Sequence, residues 1–197
     1  MQIGAGKMNI GVLALQGDVI EHVRHIEKLG HNAILVKTKN DLNDIQALII
    51  PGGESTTIGR LLRVTGLKEI LKEKILNGLP TWGTCAGMIL LAKNIVNDDI
   101  VHLGVMDISV KRNAYGTQID SFNITKTIDE ISNIPIEMVF IRAPFIVETS
   151  NNVNPLISVN DNIVAARQDN ILVTSFHPEL TDQTIVLEYF LREIAKI

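Results

Sequence analysis

Several features are scarce or missing in this 197-residue chain. It has one cysteine, one tryptophan and two tyrosines, and its formal net charge at pH 7 is −4. A single cysteine excludes an internal disulfide, and a cysteine-based zinc site would have to find its ligands elsewhere. The charge balance and the lack of a Lys/Arg run argue against a nucleic-acid surface, and no apolar run approaches the roughly 18 residues of a membrane span. We therefore expect no metal, no cofactor, no nucleic-acid partner and no membrane association.

The amino terminus, "MQIGAGK", lacks the long apolar region of a secretory signal. We expect Met8 to be the native start, residues 1–7 to be a disordered extension, and the protein to be cytoplasmic. The rest of the chain shows no internal repeat, low-complexity tract or Pro/Gly-rich linker. Its length suits one globular domain with a sizeable core, so we predict a single domain over residues 8–197.

The first half of the chain alternates between two hydrophobic periods. Asn9–Leu15 is a continuous apolar run typical of a buried strand, and three further strands are predicted at Ala33–Lys37, Ala47–Gly53 and Leu79–Thr84. Between them lie segments with helical spacing, at about 57–64, 67–77 and 88–93, and one that places Val19, Ile20, Val23, Ile26 and Leu29 on a single face. This alternation indicates an α/β fold of three layers, with a mostly parallel central sheet flanked by helices.

The second half has a different texture. After about residue 100, short β-like runs dominate, and one amphipathic helix at about 183–195 ends the chain. The sequence therefore predicts a β-rich second half. Two histidines, His22 and His25, are spaced i, i+3 in the first predicted helix. Without a third ligand nearby, we interpret them as a solvated helix face rather than a metal site.

The only cysteine lies in "GTCAGMILLA", residues 83–92, between a predicted strand and a predicted helix. This is the form G-x-nucleophile-x-G, with Cys85 in the place of serine. Small neighbours allow a sharp, strained turn, and the free N–H groups of a helix start stabilise a thiolate. A lone cysteine is more often an inert buried residue. Here the glycines and the strand–turn–helix context favour a nucleophile.

A nucleophilic thiol needs a base, and "TSFHPEL", residues 174–180, offers one. His177 follows a predicted strand, and Pro178 biases it toward an extended conformation. Side chains two residues apart in an extended segment share a face, so Glu179 can hold one imidazole nitrogen while the other faces Cys85. By itself this tripeptide could simply close a turn, but together with the cysteine turn it predicts a Cys–His–Glu triad.

A third candidate element is "IIPGGEST", residues 49–56. Backbone N–H groups at Gly52 and Gly53 are unobstructed by side chains, so this turn could bind the oxyanion that forms when a thiolate attacks a carbonyl. The N–H of Ala86, directly after the cysteine, would be a second donor. Alternatively, the two glycines serve only the turn geometry of a strand-to-helix connection.

Six stretches together carry a family resemblance: "GVLALQGDVIEH", "LIIPGGEST", "GTCAGMILLA", "RNAYGTQIDSF", "FIRAP" and "SFHPEL". In this order the chain resembles the class I, triad-type glutamine amidotransferases, which hydrolyse glutamine to glutamate and ammonia. Within them it is similar to the glutaminase subunits of pyridoxal 5'-phosphate synthases.

The resemblance implies a flavodoxin-like fold, a triad of Cys85, His177 and Glu179, and L-glutamine as substrate. It also implies an obligate partner in a large hetero-oligomer, the synthase subunit, which uses the ammonia for vitamin B6 biosynthesis. The glutamine-contacting residues that it implies are Gly53, Glu54, Ser55, Arg112, Ile141 and Arg142.

Substrate chemistry agrees with three of these positions. Free glutamine carries an ammonium and a carboxylate, so its site should offer an acid and a base near the oxyanion turn. Glu54 lies next to that turn, and Arg112 and Arg142 are cations at predicted strand ends. Each could instead be a surface salt-bridge residue without a function. For Arg142 we expect less exposure to solvent, because its neighbours in the sequence are apolar.

The end of the first strand carries the last candidates, Gln16 and Gly17, at the edge where open α/β sheets bind ligands. A polar side chain and a glycine at this rim could contact a partner that completes the oxyanion site. The simpler interpretation is a strand-to-helix turn with Asp18 as the N-cap.

Two other functions remain open from the sequence. A cysteine peptidase on the same scaffold would also use Cys, His and Glu. A catalytically idle relative that acts only as a binding partner is a second alternative, which the intact triad disfavours.

Overall fold

The computed structural model describes residues 6–112 and 121–197, which form a large mixed sheet with helices against it. Residues 1–5, which make up most of the predicted amino-terminal extension, lie outside the described residues. Most of the "RNAYGTQIDSF" stretch, residues 113–120, also lies outside them. No helix in the described part of the chain is both long enough and apolar enough to cross a membrane.

One half of the main sheet is parallel. Its strands are β1 (Asn9–Leu13), β2 (Asn32–Val36), β3 (Ala47–Ile50), β4 (Thr81–Thr84) and β12 (Ile171–Thr174), in the order β2-β1-β3-β4-β12. Every residue of β3, β4 and β12 is buried. Burial on both faces explains the largely apolar sequences of β3 and β12, whereas β4 is buried although its sequence is Thr-Trp-Gly-Thr.

Most strand pairs in the other half of the main sheet are antiparallel, so the prediction of a mostly parallel sheet is only partly right. The order continues through β11 (Asn162–Gln168), β9 (Phe145–Thr149), β6 (Met106–Lys111) and β5 (Ala92–Ile95), with β10 (Asn154–Val159) paired to β11. Strand β11 is antiparallel to β9, β10 and β12, and β6 is antiparallel to β9. Short turns impose this: Asn160 and Asp161, both with positive φ, connect β10 to β11 directly.

A separate antiparallel pair, β7 (Ser121–Ile128) and β8 (Ser132–Ile141), forms a second sheet. Together with β9, β10 and β11, it confirms the prediction that the second half is rich in β-strands. Strand β8 ends at Ile141, and the next residue, Arg142, has a φ of 43°.

The helices are α1 (Val19–Lys28), α2 (Ser55–Val64), α3 (Leu67–Leu76), α4 (Ala86–Leu91) and α5 (Ile185–Tyr189). Helix α5 continues as a π-helical segment, Phe190–Ala195, and the segments 40–42 and 178–180 are single 3-10 turns. The helix predicted for residues 88–93 begins and ends earlier, because Lys93 belongs to β5.

Two hydrophobic cores lie on opposite faces of the main sheet. In β3, Leu48 and Ile50 belong to the core that contains residues of α2, α3 and α4. Their neighbour Ile49 belongs to the other core, with residues of α1, α5 and β8. Successive residues of a strand point to opposite faces, so the helices cover both faces of the sheet.

The buried face of α1 differs from the predicted one. Its buried residues are His22, His25 and Ile26, whereas Ile20 is 53% exposed. The interpretation of the two histidines as a solvated face was therefore wrong. Hydrophobic periodicity assigns polar residues to the solvent side, and it cannot foresee that buried acceptors will accommodate an imidazole.

Helix α2 approaches the segment before β6 very closely at Gly59. A Cβ placed on Gly59 would lie 2.0 Å from Nδ1 and 2.3 Å from Cε1 of the His102 ring. That imidazole is 3% exposed, and neither of its nitrogens has a hydrogen-bond partner within the described residues. The absence of a side chain at Gly59 is thus a packing requirement.

We therefore expect Gly59→Ala to destabilise the protein by about 1–3 kcal/mol, because the added methyl must displace a buried ring. Helix propensity alone would predict a gain of about 1 kcal/mol. Denaturant unfolding of Gly59→Ala, His102→Ala and the double variant would measure this effect. The double variant should be less destabilised than the sum of the two single variants, and a stabilised Gly59→Ala would contradict the packing argument.

Candidate active site

The cysteine turn joins β4 to α4 and places Cys85 in a strained conformation. The backbone of Cys85 has φ 47° and ψ −101°, a conformation that residues other than glycine rarely adopt. Its N–H donates to the carbonyl of Thr174 at the end of β12, over 2.8 Å. The thiol lies at the start of α4, as the sequence predicts for a strained nucleophile turn.

The two glycines of the motif make close backbone contacts. A Cβ on Gly83 would lie 2.7 Å from the carbonyl carbon of Gly87. A Cβ on Gly87 would lie 2.2 Å from the carbonyl oxygen of Ile50 in β3. The glycine frame is therefore needed to pack α4 against the ends of β3 and β4.

His177 and Glu179 follow β12 and lie beside this turn. The Nδ1 atom of His177 is 2.8 Å from Oε1 of Glu179, and the Cys85 thiol lies near enough to the imidazole to help raise its pKa. Both side chains are at least 95% buried. The structure thus brings Cys85, His177 and Glu179 together in the arrangement of a nucleophile, a base and a group that orients the base.

A second carboxylate, that of Asp18, also faces the imidazole. Its Oδ2 lies 3.4 Å from Nδ1 of His177, whereas no side-chain cap bond forms at the start of α1. Burial opposes a charge on His177, but hydrogen bonds to Asp18, Cys85 and Glu179 outweigh it and raise the pKa of His177 to about 12. The hydrogen bond to His177 in turn holds the pKa of Asp18 below its ordinary value. His177 is therefore an imidazolium at neutral pH.

Behind Glu179 lies His22 of α1. Its Nε2 is 3.5 Å from Oε1 of Glu179 and 3.2 Å from Oγ1 of Thr84, the residue before the cysteine. The ring of Trp82 packs edge-on against it, with centroids 5.4 Å apart. Burial lowers the pKa of His22, so this imidazole is neutral at neutral pH.

An open cavity of about 530 Å³ lies in front of the thiol. Three predicted site residues, Gly17, Gly52 and Glu179, do not line this cavity. Asp18 and Ile89 do line it, although the sequence analysis did not predict either as a site residue. Most of the predicted site residues line it: Gln16, Gly53, Glu54, Ser55, Cys85, Ala86, Arg112, Ile141, Arg142 and His177.

The glycine turn after β3 is held by the loop after β1. The carbonyl of Gly52 accepts the N–H of Asp18 over 3.0 Å, and Oε1 of Gln16 accepts the N–H of Glu54 over 2.8 Å. Gly17, with φ 108°, allows this approach, because a Cβ there would lie 1.8 Å from the carbonyl oxygen of Gly52. The predicted partner residues and the predicted oxyanion residues are therefore in direct contact.

Glu54 has a structural role that the sequence analysis did not assign. Its carboxylate caps α2, accepting the N–H of Thr56 over 3.1 Å and that of Thr57 over 2.7 Å. Hydrogen bonding to Thr57 is the largest cause of its lowered pKa, so it is an anion. It lies at the cavity wall with Ser55, where a negative charge can meet a cationic ligand group.

Two arginines line the cavity. Arg112 is ion-paired with Asp98, and its Nη1 lies 3.4 Å from Oγ1 of Thr56. Arg142 is solvent-exposed at the rim, and the carbonyl of the preceding residue, Ile141, accepts from the Cys85 thiol at 3.9 Å. The lining of the cavity therefore contains two guanidinium groups as well as the carboxylates of Glu54 and Asp18.

Asp18, His177 and Glu179 also have the spacing of a metal site, because their donor atoms lie within 4.8 Å of one another. Nδ1 of His177 is already occupied by hydrogen bonding to Glu179. This arrangement suits proton transfer and imidazole orientation better than metal ligation.

Sequence reasoning missed Asp18 and His22 as parts of the site. Asp18 was predicted only as a helix cap, and His22 as a surface residue. Their i, i+4 spacing on α1 puts both on one helix face, which was the available signal. What that face contacts depends on β12, more than 140 positions later in the chain.

Comparisons with known proteins agree with this geometry. A model of the SNO glutamine amidotransferase family matches residues 12–196. The pyridoxal 5'-phosphate synthase subunit PdxT of Clostridium beijerinckii is 60% identical over 185 residues, which are 94% of this chain and 97% of that protein. The protein of the same name from Thermoanaerobacter sp. is 56% identical over 94% of this chain and 98% of its own.

Solved structures show the same similarity. A crystal structure described as a glutamine amidotransferase superposes with a TM-score of 0.90 at 42% identity, covering 95% of this chain and 99% of that one. A glutamine amidotransferase from Thermotoga maritima has a TM-score of 0.65 at 13% identity, over 98% of this chain and 86% of its own, and shows the fold alone. With a family match over nearly its whole length and relatives of more than 50% identity, this chain belongs to the SNO glutamine amidotransferase family.

Proposed function

We propose that this chain is the glutaminase subunit of a pyridoxal 5'-phosphate synthase. It hydrolyses L-glutamine to L-glutamate and ammonia, and the synthase subunit uses the ammonia. The observation that carries this proposal is a cysteine with a strained backbone beside an imidazole that two carboxylates hold protonated, at the wall of a charged cavity. The assignment to pyridoxal 5'-phosphate synthesis rests on the names of the relatives.

The first half of the reaction is acyl transfer to sulfur. The Cys85 thiolate attacks the amide carbon of glutamine, and a C–S bond forms as the carbonyl oxygen becomes an oxyanion. The N–H groups of Ala86 and of the Gly52–Gly53 turn are the candidate donors to that oxygen. His177 then gives its proton to the amide nitrogen, the C–N bond breaks, and ammonia leaves.

The second half restores the enzyme. Neutral His177 accepts a proton from water, whose oxygen attacks the γ-glutamyl thioester. The C–S bond breaks, glutamate is released, and Cys85 returns as a thiolate beside a protonated His177. Glu179 and Asp18 stabilise the imidazolium at each end of this cycle, because both carboxylates face Nδ1.

The cavity offers opposite charges for the two ends of free glutamine. Glu54 is the candidate for the α-ammonium, and Arg112 with Arg142 for the α-carboxylate. Gly53, Ser55 and the backbone at Ile141 complete the proposed glutamine site. A peptide-bound glutamine lacks both end charges, so this site favours the free amino acid.

We also assign the finer architecture on these grounds. The parallel strands with their helices are the flavodoxin-like part of the fold, and residues 8–197 form one amidotransferase domain. The synthase subunit is proposed as an obligate partner in a large hetero-oligomer, docking at the rim formed by Gln16 and Gly17. Contact there would reach the oxyanion turn directly, because Gln16 binds the N–H of Glu54.

Replacing the nucleophile tests the reaction. We expect Cys85→Ala to lower ammonia release from glutamine by at least about 10³-fold, since no other group in the triad can form the thioester. Ammonia should be assayed in the presence of the synthase subunit.

Two controls sharpen this test. The free energy of unfolding of Cys85→Ala should stay within about 1 kcal/mol of the wild-type value, because the side chain is small. Wild-type protein should release ammonia from glutamine and leave casein uncleaved. Substantial turnover by Cys85→Ala, or cleavage of casein, would contradict the assignment.

The charge on Glu54 is the next test. Glu54→Gln keeps an oxygen that can cap α2 but removes the anion, so the KM for glutamine should rise by about tenfold with a smaller change in kcat. Glu69→Gln is the matched control, since Glu69 is an exposed acid in the first turn of α3. An unchanged KM in Glu54→Gln would reduce Glu54 to a helix cap.

Partner dependence tests the proposed docking rim. We expect low glutaminase activity from this chain alone and a large rise when the synthase subunit is added. Gln16→Ala should reduce that rise, because the side chain that links β1 to the oxyanion turn is gone. Glutaminase assays over a titration of synthase subunit would measure both quantities. Full activity of the isolated chain would mean that the oxyanion site needs no partner.

A further inference from the structure

We propose that His22 is a positioning residue of the active site, whose Nε2–H group faces Oε1 of Glu179 at 3.5 Å and thereby fixes the carboxylate that orients His177. The proposal rests on the glutaminase function proposed above and deepens it. His22 is not part of the cavity lining, and it acts through Glu179.

The chemistry of the acceptors decides the tautomer of His22. Nε2 lies between Oε1 of Glu179, at 3.5 Å, and Oγ1 of Thr84, at 3.2 Å. An ionised carboxylate can only accept hydrogen bonds, so a lone pair on Nε2 would face a lone pair of Glu179. The proton therefore lies on Nε2, where it can be shared between the two oxygens.

Burial explains why Glu179 needs this donor. The side chains of Glu179 and His22 are 0% and 1% exposed. The other oxygen of Glu179, Oε2, has no hydrogen-bond partner in the part of the chain that the structure describes. A buried carboxylate with one donor is poorly stabilised and free to turn, whereas two imidazoles on Oε1 fix its position.

The neutral state of His22 suits the reaction cycle. Burial is the largest cause of the lowered pKa of His22. The nearby imidazoles of His177 and His25 lower this pKa further, whereas the carboxylates of Glu179 and Asp18 raise it. A cation at this place would repel the imidazolium of His177. A neutral donor can hold the Glu179 carboxylate in place without opposing the charge that His177 loses and regains.

The nucleophile is linked to the same imidazole. Thr84, which shares the His22 proton, immediately precedes Cys85 in β4. Trp82, two residues earlier in the strand, packs edge-on against the ring and donates its own N–H to Thr174 of β12. His22 thus connects the strand that carries the thiol with the segment that carries Glu179.

Two substitutions of similar shape separate donation from packing. His22→Gln places an N–H near the position of Nε2, whereas His22→Met fills similar space without a donor. His25→Met is the matched control, because His25 is a buried imidazole on the same helix whose Nε2 hydrogen-bonds the carbonyl of Thr181, 2.9 Å away, and not the triad.

In complex with the synthase subunit, His22→Met should lower kcat for glutamine by about tenfold or more, with KM within about twofold of wild type. His22→Gln should retain at least about a third of the wild-type kcat, and His25→Met should resemble wild type. In a Glu179→Gln background the effect of His22→Met should shrink, because both changes act on one hydrogen bond. If His22→Met does not fold, His22→Asn, which is too short to reach Glu179, takes its place with the same expected loss.

A glutamine-independent measurement separates this proposal from the proposed function. Alkylation of Cys85 by iodoacetamide at pH 7 should be at least about threefold slower in His22→Met than in His22→Gln, because a displaced Glu179 no longer orients the His177 imidazole toward the sulfur. Wild-type protein without glutaminase activity would refute the proposed function and leave this measurement valid. The role of His22 would be overturned if His22→Met matched His25→Met in kcat and alkylation rate, if His22→Gln were as impaired as His22→Met, or if the loss lay in KM alone.

Discussion

The parallel pairing of β4 with β12 brings the site together. Its register sets Thr84 opposite Thr174, and the N–H of Cys85 continues the ladder by donating to the Thr174 carbonyl. Three residues beyond Thr174 comes His177, so the end of this one ladder determines the distance between thiol and imidazole. The two strands are 90 residues apart in the chain, and their pairing is held by burial on both faces of the sheet rather than by any local sequence signal.

Several charged and polar side chains are buried next to this ladder, although most of the protein interior is apolar. Glu179, His177 and His22 are almost fully buried and lie in contact, and Asp18 joins them from the cavity side. The gain from pairing must exceed the cost of desolvating each group, which explains why the ion His177 faces two carboxylates whereas His22 stays neutral. Helix α1 contributes His22 to this network and its N-cap residue contributes Asp18, so the helix has a chemical role in addition to covering one face of the sheet.

Close backbone contacts also restrict which residues can occupy the loops of the site. Gly17 and Gly52 allow two loops from neighbouring strands to touch, and Gly83 and Gly87 allow α4 to start directly beneath β3 and β4. The turn after β3 is tied to Gln16 and Asp18 rather than standing alone. The rim after β1 and the glycine turn after β3 are therefore one hydrogen-bonded unit at the wall of the cavity that holds the thiol.

Much of this could be read from the sequence. Continuous apolar runs gave the parallel strands, the small residues around Cys85 gave the strained turn, and the extended His177–Glu179 spacing gave the orientation of the imidazole. Other features could not be read. The antiparallel half of the sheet follows from short turns such as Asn160–Asp161, and its apolar runs alone do not distinguish strand direction. The capping role of Glu54 depends on the orientation of one side chain among several that are possible.

The sequence by itself determined which groups are chemically able to act: a thiol between glycines, an imidazole with a nearby carboxylate, and a glycine turn beside an acid. These signals are local, since they lie within a few residues of one another and depend on backbone geometry. Only the tertiary structure decided which distant groups complete the site, and it turned Asp18 from a helix cap into a partner of His177 and His22 from a surface residue into a partner of Glu179. The physical reason is that hydrogen bonding and desolvation depend on three-dimensional neighbours, and the neighbours of α1 are set by long-range strand pairing.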